Sequence, residues 1–187
     1  MRFLFRCIGL LALLHGALAS AADVMTFSSS SFSDNAVLAA RYGGNLASNP
    51  NCAGQNISPA LTWSHAPAKT QSFAIVMLDP DGRLGLGVVH WVAYGIDPAV
   101  TALAEGEAAE TTSTKFVEGV GTRGVHAYTG PCAPPGTGLH HFVLTLIATD
   151  LPVDALPPGL TREELLTRLD GHALAGTSIV MRSGHVD

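Results

Sequence analysis

Phe73-Ala-Ile-Val-Met-Leu-Asp79 leads through Pro80-Asp-Gly82 towards Val88-Val-His-Trp-Val-Ala-Tyr-Gly-Ile96, and a third run of the same character follows at His141-Phe-Val-Leu-Thr-Leu-Ile-Ala-Thr149. All three are short and almost continuously apolar, the pattern of strands covered on both faces. They are expected at the centre of a sheet that packs against a second layer. Asp79-Pro-Asp-Gly82 and Gly130-Pro-Cys-Ala-Pro-Pro-Gly136 hold residues that cannot continue a ladder, so they mark loops at strand ends.

Outward from these strands, Leu160-Thr-Arg-Glu-Glu-Leu165 predicts one helix. Thr161 is its N-cap, Glu164 completes a capping box, Leu160 and Leu165 staple the first turn, and Gly171 stops it. Its buried stripe is Leu165, Leu166 and Leu169. A second short helix is expected over His172 to Ala175 and a last strand over Thr177 to Arg182. Ser28 to Ser33 and Tyr42 to Gln55 read as loops or strand edges, and the acidic stretch Ala102 to Thr114 reads as a surface loop. The composition agrees with this pattern: in 187 residues, 13% are charged, with 20 Gly and 11 Pro scattered between apolar runs. Many short strands joined by turns fit better than a helical bundle.

The first residues are expected to lie outside this fold. Arg2 and Arg6 form a positive region, Cys7 to Leu14 is apolar, and Ala17-Leu-Ala-Ser-Ala21 offers small residues for cleavage. Residues 1–22 therefore read as a secretory signal peptide, cleaved near residues 19–22, ahead of a single domain over 23–187. The expected location is periplasmic or secreted. No run approaches the ~20 apolar residues of a spanning helix, so no membrane span is expected.

Without Arg2 and Arg6, 8 Lys and Arg stand against 15 Asp and Glu, a net charge of −7. Such a surface repels phosphate polymers, and the remaining cations are dispersed in sequence, so nucleic acid is not an expected partner. Cys52 and Cys132 then remain as an even pair in a chain bound for an oxidising compartment. A disulfide is the economical reading; two buried thiols or half of a metal site are the alternatives. No CxxC supports zinc.

Four residues carry the candidate chemistry. Asp79 and Asp81 lie two apart across Pro80, so their carboxylates are expected to converge from one side of an extended segment. Period-two alternation puts His90, Val92 and Tyr94 on one face of their strand and Val89, Trp91 and Ala93 on the other. His140 enters the third strand directly after Gly136-Thr-Gly138, with His141 on the opposite face. If both histidines meet the carboxylates, imidazolium is favoured and the site offers positive donors to an anion. The amides of Cys132 and Ala133 would add donors. Taken singly, an Asp before Pro more often caps a turn, and a strand histidine is more often a satisfied core residue.

Other chemistries find less support. Two acids and two histidines suit a divalent metal, but no His-x-His or HExxH spacing is present. Ser58 lies in no Gly-x-Ser-x-Gly elbow, and an oxidised Cys132 is no nucleophile. His65, His126, His172 and His185 fall in polar or Gly/Pro-rich surroundings and read as loop or surface residues. No catalytic residue, metal or cofactor is expected.

Asn56-Ile-Ser-Pro-Ala-Leu-Thr-Trp63, Phe73-Ala-Ile-Val-Met-Leu-Asp-Pro-Asp81, Val89-His-Trp91, Gly130-Pro-Cys132 and Gly136-Thr-Gly-Leu-His140 stand in an order and spacing that resembles the phosphatidylethanolamine-binding protein (PEBP) family, especially its bacterial Raf-kinase-inhibitor-like branch. The resemblance implies a mainly β fold of two antiparallel sheets, a β-sandwich with a few short peripheral helices. It also implies a small anion pocket at one end of the central sheet, taking phosphate-bearing head groups. Carried over to this chain, its lining is Asp79, Asp81, His90 and His140 with loop amides near Cys132 and Ala133. Two departures stand out. The family usually reads Asp-Pro-Asp-Ala-Pro where this chain has Asp79-Pro-Asp-Gly-Arg83, which brings a cation near the mouth. A wall position commonly held by Tyr is Phe142, which removes one phenol hydrogen bond.

The expected function is that of a secreted or periplasmic binding protein for a small phosphate-bearing or zwitterionic ligand such as phosphoethanolamine. The alternatives are a protein-interaction or inhibitor module, since the family includes inhibitors of kinases and of a protease, and a metal-dependent hydrolase built on the same four residues.

Overall fold

The computed structural model describes residues 24–109 and 113–185. The expected signal peptide, residues 1–22, lies outside the described residues. In chain order the strands are β1 (Thr26–Ser28), β2 (Ala36–Val37), β3 (Leu61–Ser64), β4 (Ser72–Asp79), β5 (Val88–Ile96), β6 (Ala102–Leu103), β7 (Val117–Glu118), β8 (Leu139–Thr149) and β9 (Ala173–Gly184). They form a small sheet in the order β1-β3-β6 and a large one in the order β2-β9-β8-β4-β5-β7. Every pairing is antiparallel except the edge pair of β2 with β9. One helix, α1 (Arg162–Leu169), flanks them. The fold is mainly β with two sheets and few helices, as the sequence reading expects.

The three quoted runs become β4, β5 and β8, the middle of the large sheet. One face presents Phe73, Ile75, Met77, Phe142, Leu144 and Leu146, which pack with Phe27, Leu61, Trp63 and Leu103 of the small sheet in one buried core. Burying each such side chain contributes roughly 1.5–3 kcal/mol. Trp63 meets Phe73 edge-on across the layers, with ring centroids 5.7 Å apart. Leu103 lies in the stretch expected to be a surface loop; its burial is what draws Ala102–Leu103 into the small sheet beside β3.

The opposite face presents Ala74, Val76, Val92 and Tyr94 to Leu160, Leu165 and Leu169 of α1 and its lead-in. This second layer explains why β4 and β5 carry so few polar residues. It reaches β8 only at Ile147, so Val143 and Thr145 stay half-buried. The helix begins as its sequence predicts: Glu164 N–H donates to Thr161 Oγ1 at 3.2 Å, and Thr161 N–H donates to Glu164 Oε2 at 2.9 Å. Gly171 follows in the left-handed region at φ +79°.

The helix expected over His172 to Ala175 does not form. Ala173 and Ala175 instead pair with Thr149 and Ala148, so β9 starts four residues before the expected strand. A lone four-residue turn cannot offset helix nucleation, whereas the edge of β8 supplies ladder partners at once. At the far side of the large sheet, Trp91 Nε1 donates to Glu118 Oε2 at 3.1 Å, while Glu118 Oε1 is buried without a partner. That desolvation pushes the Glu118 carboxyl up to about 7.

Candidate functional site at the end of the central sheet

Antiparallel pairing brings the last residue of β4 and the first residues of β5 and β8 to one end of the large sheet. A cavity of about 210 Å³ opens there, lined among others by Asp79, Arg83, His90, Arg123, Cys132 and His140. Ala133 completes the wall, and Phe142 does not line it. Phe142 instead packs behind the two histidines: its ring meets His90 edge-on at 5.1 Å and stacks on His140 at 6.4 Å.

Asp79 is a positioning group that already accepts three hydrogen bonds. Its Oδ1 accepts the amides of Asp81 and Gly82 at 2.9 and 3.0 Å, and its Oδ2 accepts from His140 Nδ1 at 2.8 Å. Both side chains of this pair are buried. The Thr137 hydroxyl donates its one hydrogen to the Pro134 carbonyl at 2.7 Å, so its oxygen accepts from His140 Nε2 at 2.9 Å. Asp79 and Thr137 thus hold the His140 ring from both sides, and both its nitrogens are engaged.

His90 reaches the same spot by a route that alternation does not foresee. Met77 pairs with Trp91 and Leu78 with Val89, so His90 is the extra residue of a β-bulge. The bulge turns His90 to the side of Trp91 and Phe142, away from Val92 and Tyr94, with which strict alternation groups it. Its Nδ1 donates to the Thr129 carbonyl at 2.8 Å, which leaves Nε2 as an acceptor. At 2% exposure, burial is the main force on its pKa and holds it down to about 4. The expectation of two imidazolium rings therefore fails at His90, which is neutral at physiological pH because desolvation outweighs its distance-weakened attraction to Asp79.

The two acids do not converge. Asp81 Oδ2 accepts the amide of His141 at 2.8 Å and its Nδ1–H at 3.0 Å on the solvent side. These bonds hold the Asp81 carboxyl below the usual carboxylate range. Asp81 instead lines an adjoining cleft of about 490 Å³, which shares Arg83, Pro134 and His140 with the cavity.

The loop after β7 supplies the other wall. Asn56 accepts the Gly130 amide at 2.8 Å and donates to the Tyr128 carbonyl at 3.3 Å, which anchors the segment before Pro131. Cys132 is bonded to Cys52, joining residues 80 apart. The amides of Cys132 and Ala133 donate to no acceptor among the described residues, although both residues are buried. Two donors on adjacent residues, facing no acceptor of the chain's own, suit an anion.

Sequence reasoning missed Arg123. The turn Gly121–Gly124, closed by a 2.9 Å bond between its end residues, is fastened to β5 by Thr122, whose amide donates to the Val89 carbonyl and whose hydroxyl accepts the Val89 amide. Arg123 thereby reaches the cavity, with its Nη1 3.9 Å from Cys132 Sγ. The one available signal was a cation between glycines in a chain poor in cations. Among the described residues, no group of three or more His, Cys, Asp and Glu stands ready to hold a metal ion. No helix among them is long and apolar enough to cross a membrane.

Comparison with known proteins bears on this geometry. Residues 28–183 match the model of the family described as phosphatidylethanolamine-binding protein. The chain is 32% identical to a UPF0098 protein of Methanothermobacter thermautotrophicus over 157 residues, 83% of this chain and 96% of the relative. It is 39% identical to the putative lipoprotein LppC of Mycobacterium tuberculosis over 144 residues, 76% of this chain and 64% of the relative. Among solved structures, Escherichia coli YbcL, described as a member of the mammalian PEBP family, superposes with a TM-score of 0.78 at 25% identity. That match covers 88% of this chain and 100% of YbcL. The PEBP homologue CT736 of Chlamydia trachomatis superposes at 0.73 with 28% identity, covering 88% and 99%. Matched along most of its length in sequence and in fold, the chain belongs to the phosphatidylethanolamine-binding protein family.

Proposed function

We propose that this chain is an exported binding protein, periplasmic or secreted, that holds a phosphate-bearing or zwitterionic head group such as phosphoethanolamine and performs no reaction on it. The observation that carries this reading is the cavity itself. Arg83 and Arg123, together with Cys132 and Ala133 whose amides are uncommitted, line a space of head-group size in a chain of net negative charge. Export is supported by the positive, apolar and small-residue succession at the N-terminus and by a relative named as a lipoprotein.

Each group has a role in this reading. The arginines and amides take the phosphate oxygens. His140, held by Asp79 and Thr137, shapes the wall rather than hydrogen-bonding the ligand, since both its ring nitrogens are engaged. His90 Nε2 accepts, so it selects a ligand that brings a proton, either the P–OH of a phosphate monoanion or an ammonium. With Asp79 buried and already accepting three hydrogen bonds, Asp81 at the rim is the more open carboxylate for the ammonium.

Calorimetric titration of the oxidised protein with phosphoethanolamine at pH 6 and pH 8 tests it. Binding is expected to be tighter at pH 6, where more of the phosphate monoester, with a second pKa of about 6, keeps the proton that His90 accepts. Absence of binding at millimolar ligand overturns the reading and leaves a protein partner as the occupant of this face.

A further inference from the structure

Gly82-Arg-Leu-Gly-Leu-Gly87 connects β4 to β5 at the mouth of the cavity, and it holds the two most exposed leucines among the described residues: Leu84 at 99% and Leu86 at 78%. Arg83 and Leu84 both take the left-handed conformation, at φ +52° and +59°, and Gly85 and Gly87 follow at +89° and +83°. A side chain with a Cβ is disfavoured there, so the tip carries two residues in a strained shape, left exposed by the described residues. Gly82 and Arg83 line the cavity, and Leu84 lines the cleft beside it. The apolar prong and the anion site are thus consecutive residues of one turn.

We propose that Leu84 and Leu86 insert into the interfacial layer of a phospholipid bilayer and set the cavity against the phosphate plane. The proposal rests on the head-group reading above and adds where that head group is met. A bilayer accepts an isolated prong without a matching surface, whereas a specific protein interface needs roughly 1,000 Å² of complementary area, far more than one six-residue turn offers. Arg83 beside the leucines reaches the phosphates while its stem lies along the acyl boundary. The net charge of −5 over the chain disfavours a strongly anionic surface, so the partner is a zwitterionic membrane.

The test uses the full oxidised protein and vesicles of phosphatidylethanolamine and phosphatidylcholine. Wild type is expected to co-sediment with them, and better than with vesicles rich in phosphatidylglycerol. The double variant Leu84→Ser, Leu86→Ser is expected to lose at least about tenfold in partitioning. Its affinity for inorganic phosphate, which brings no ammonium to the cleft that Leu84 lines, should stay within threefold, because neither leucine lines the cavity. Leu84→Trp should shift its emission to the blue on vesicle addition. Equal partitioning of wild type and the double variant, or no partitioning of wild type, overturns the proposal; in the latter case, the prong is assigned to a protein. Leucine-dependent partitioning without any phosphoethanolamine binding would retain the membrane contact and remove the head-group reading, so the two fail separately.

Discussion

His140 Nδ1 lies 2.8 Å from Asp79 Oδ2 inside the protein, and the next residue, His141, makes the same kind of contact to Asp81 Oδ2 at 3.0 Å on the outside. Two Asp–His pairs with identical chemistry thus sit on opposite faces of β8, one buried and one half-exposed. Their energetic weights should differ accordingly. Asp79→Ala leaves a buried imidazole nitrogen and two backbone amides without their acceptor, and is expected to lower the unfolding free energy by about 3–5 kcal/mol. Asp81→Ala removes an exposed pair and should cost less than about 1 kcal/mol. Urea unfolding of the two variants checks this, and equal losses would refute the division.

Two groups oppose each other over nearly the same pH window, so their effects largely cancel in the wild type and each is read from its own variant. The folded-state pKa of Glu118 is raised from 4.5 to about 7, so the folded protein holds a proton that the unfolded chain has released. Stability therefore declines as pH rises from about 4.5 to about 7. His90 is lowered from 6.5 to about 4, so the unfolded chain takes up a proton that the folded one refuses, and stability declines as pH falls from about 6.5 to about 4. Glu118→Gln should be more stable than wild type at pH 8, on the order of 2 kcal/mol after allowance for partial exposure, and close to wild type at pH 4.5. An offset that does not change with pH would contradict the assignment.

Arg123 has no part in the strands, yet it faces the cavity. Arg123→Ala is expected to weaken phosphoethanolamine binding by about 10- to 100-fold, the worth of a hydrogen bond to a charged group, with little change in melting temperature. Arg168→Ala, an exposed cation on α1 that does not line the cavity, is the control. Calorimetry on both variants decides the matter, and an unchanged affinity in Arg123→Ala would remove it from the site.

The disulfide holds the wall that carries the two free amides. Reducing it opens a loop whose closure is worth roughly 2–4 kcal/mol and releases Cys132 and Ala133 from their positions. Stability and head-group affinity are expected to fall together. Thermal unfolding and titration with and without reductant would show this, and affinity unaffected by reduction would mean that the amides do not contribute.

Gly130 packs so closely that a Cβ there would stand 2.4 Å from the Tyr42 carbonyl oxygen and 2.6 Å from the Gly44 nitrogen. Gly130→Ala should cost about 1–3 kcal/mol through overpacking and displace the loop behind the cavity. A melting temperature equal to wild type would argue that the segment yields without strain.

Much of the architecture is local in origin and hence legible in the chain. The apolar runs at 73–79 and 88–96 became β4 and β5 because two layers cover both their faces, and Thr161 with Glu164 started α1 because a capping box needs only four residues. His172 to Ala175 was misread because its outcome depends on an edge of β8 far away in sequence. In the candidate site, Asp79, His90 and His140 were legible as a set from order and spacing, and they do meet.

What tertiary structure alone decided is how they meet. A one-residue bulge, set by the register between β4 and β5, turned His90 towards Phe142 and its depth made it neutral. The backbone turn after Asp79 spent that carboxylate on two amides, and the parity of β8 handed Asp81 to His141. Arg123 arrived through a hydrogen bond between Thr122 and Val89. Residue types and their periodicity determine which segments are strands and which groups are chemically able. Register, depth and long-range hydrogen bonds determine protonation state and company, because desolvation and pairing are properties of the assembled neighbourhood and not of any one stretch of chain.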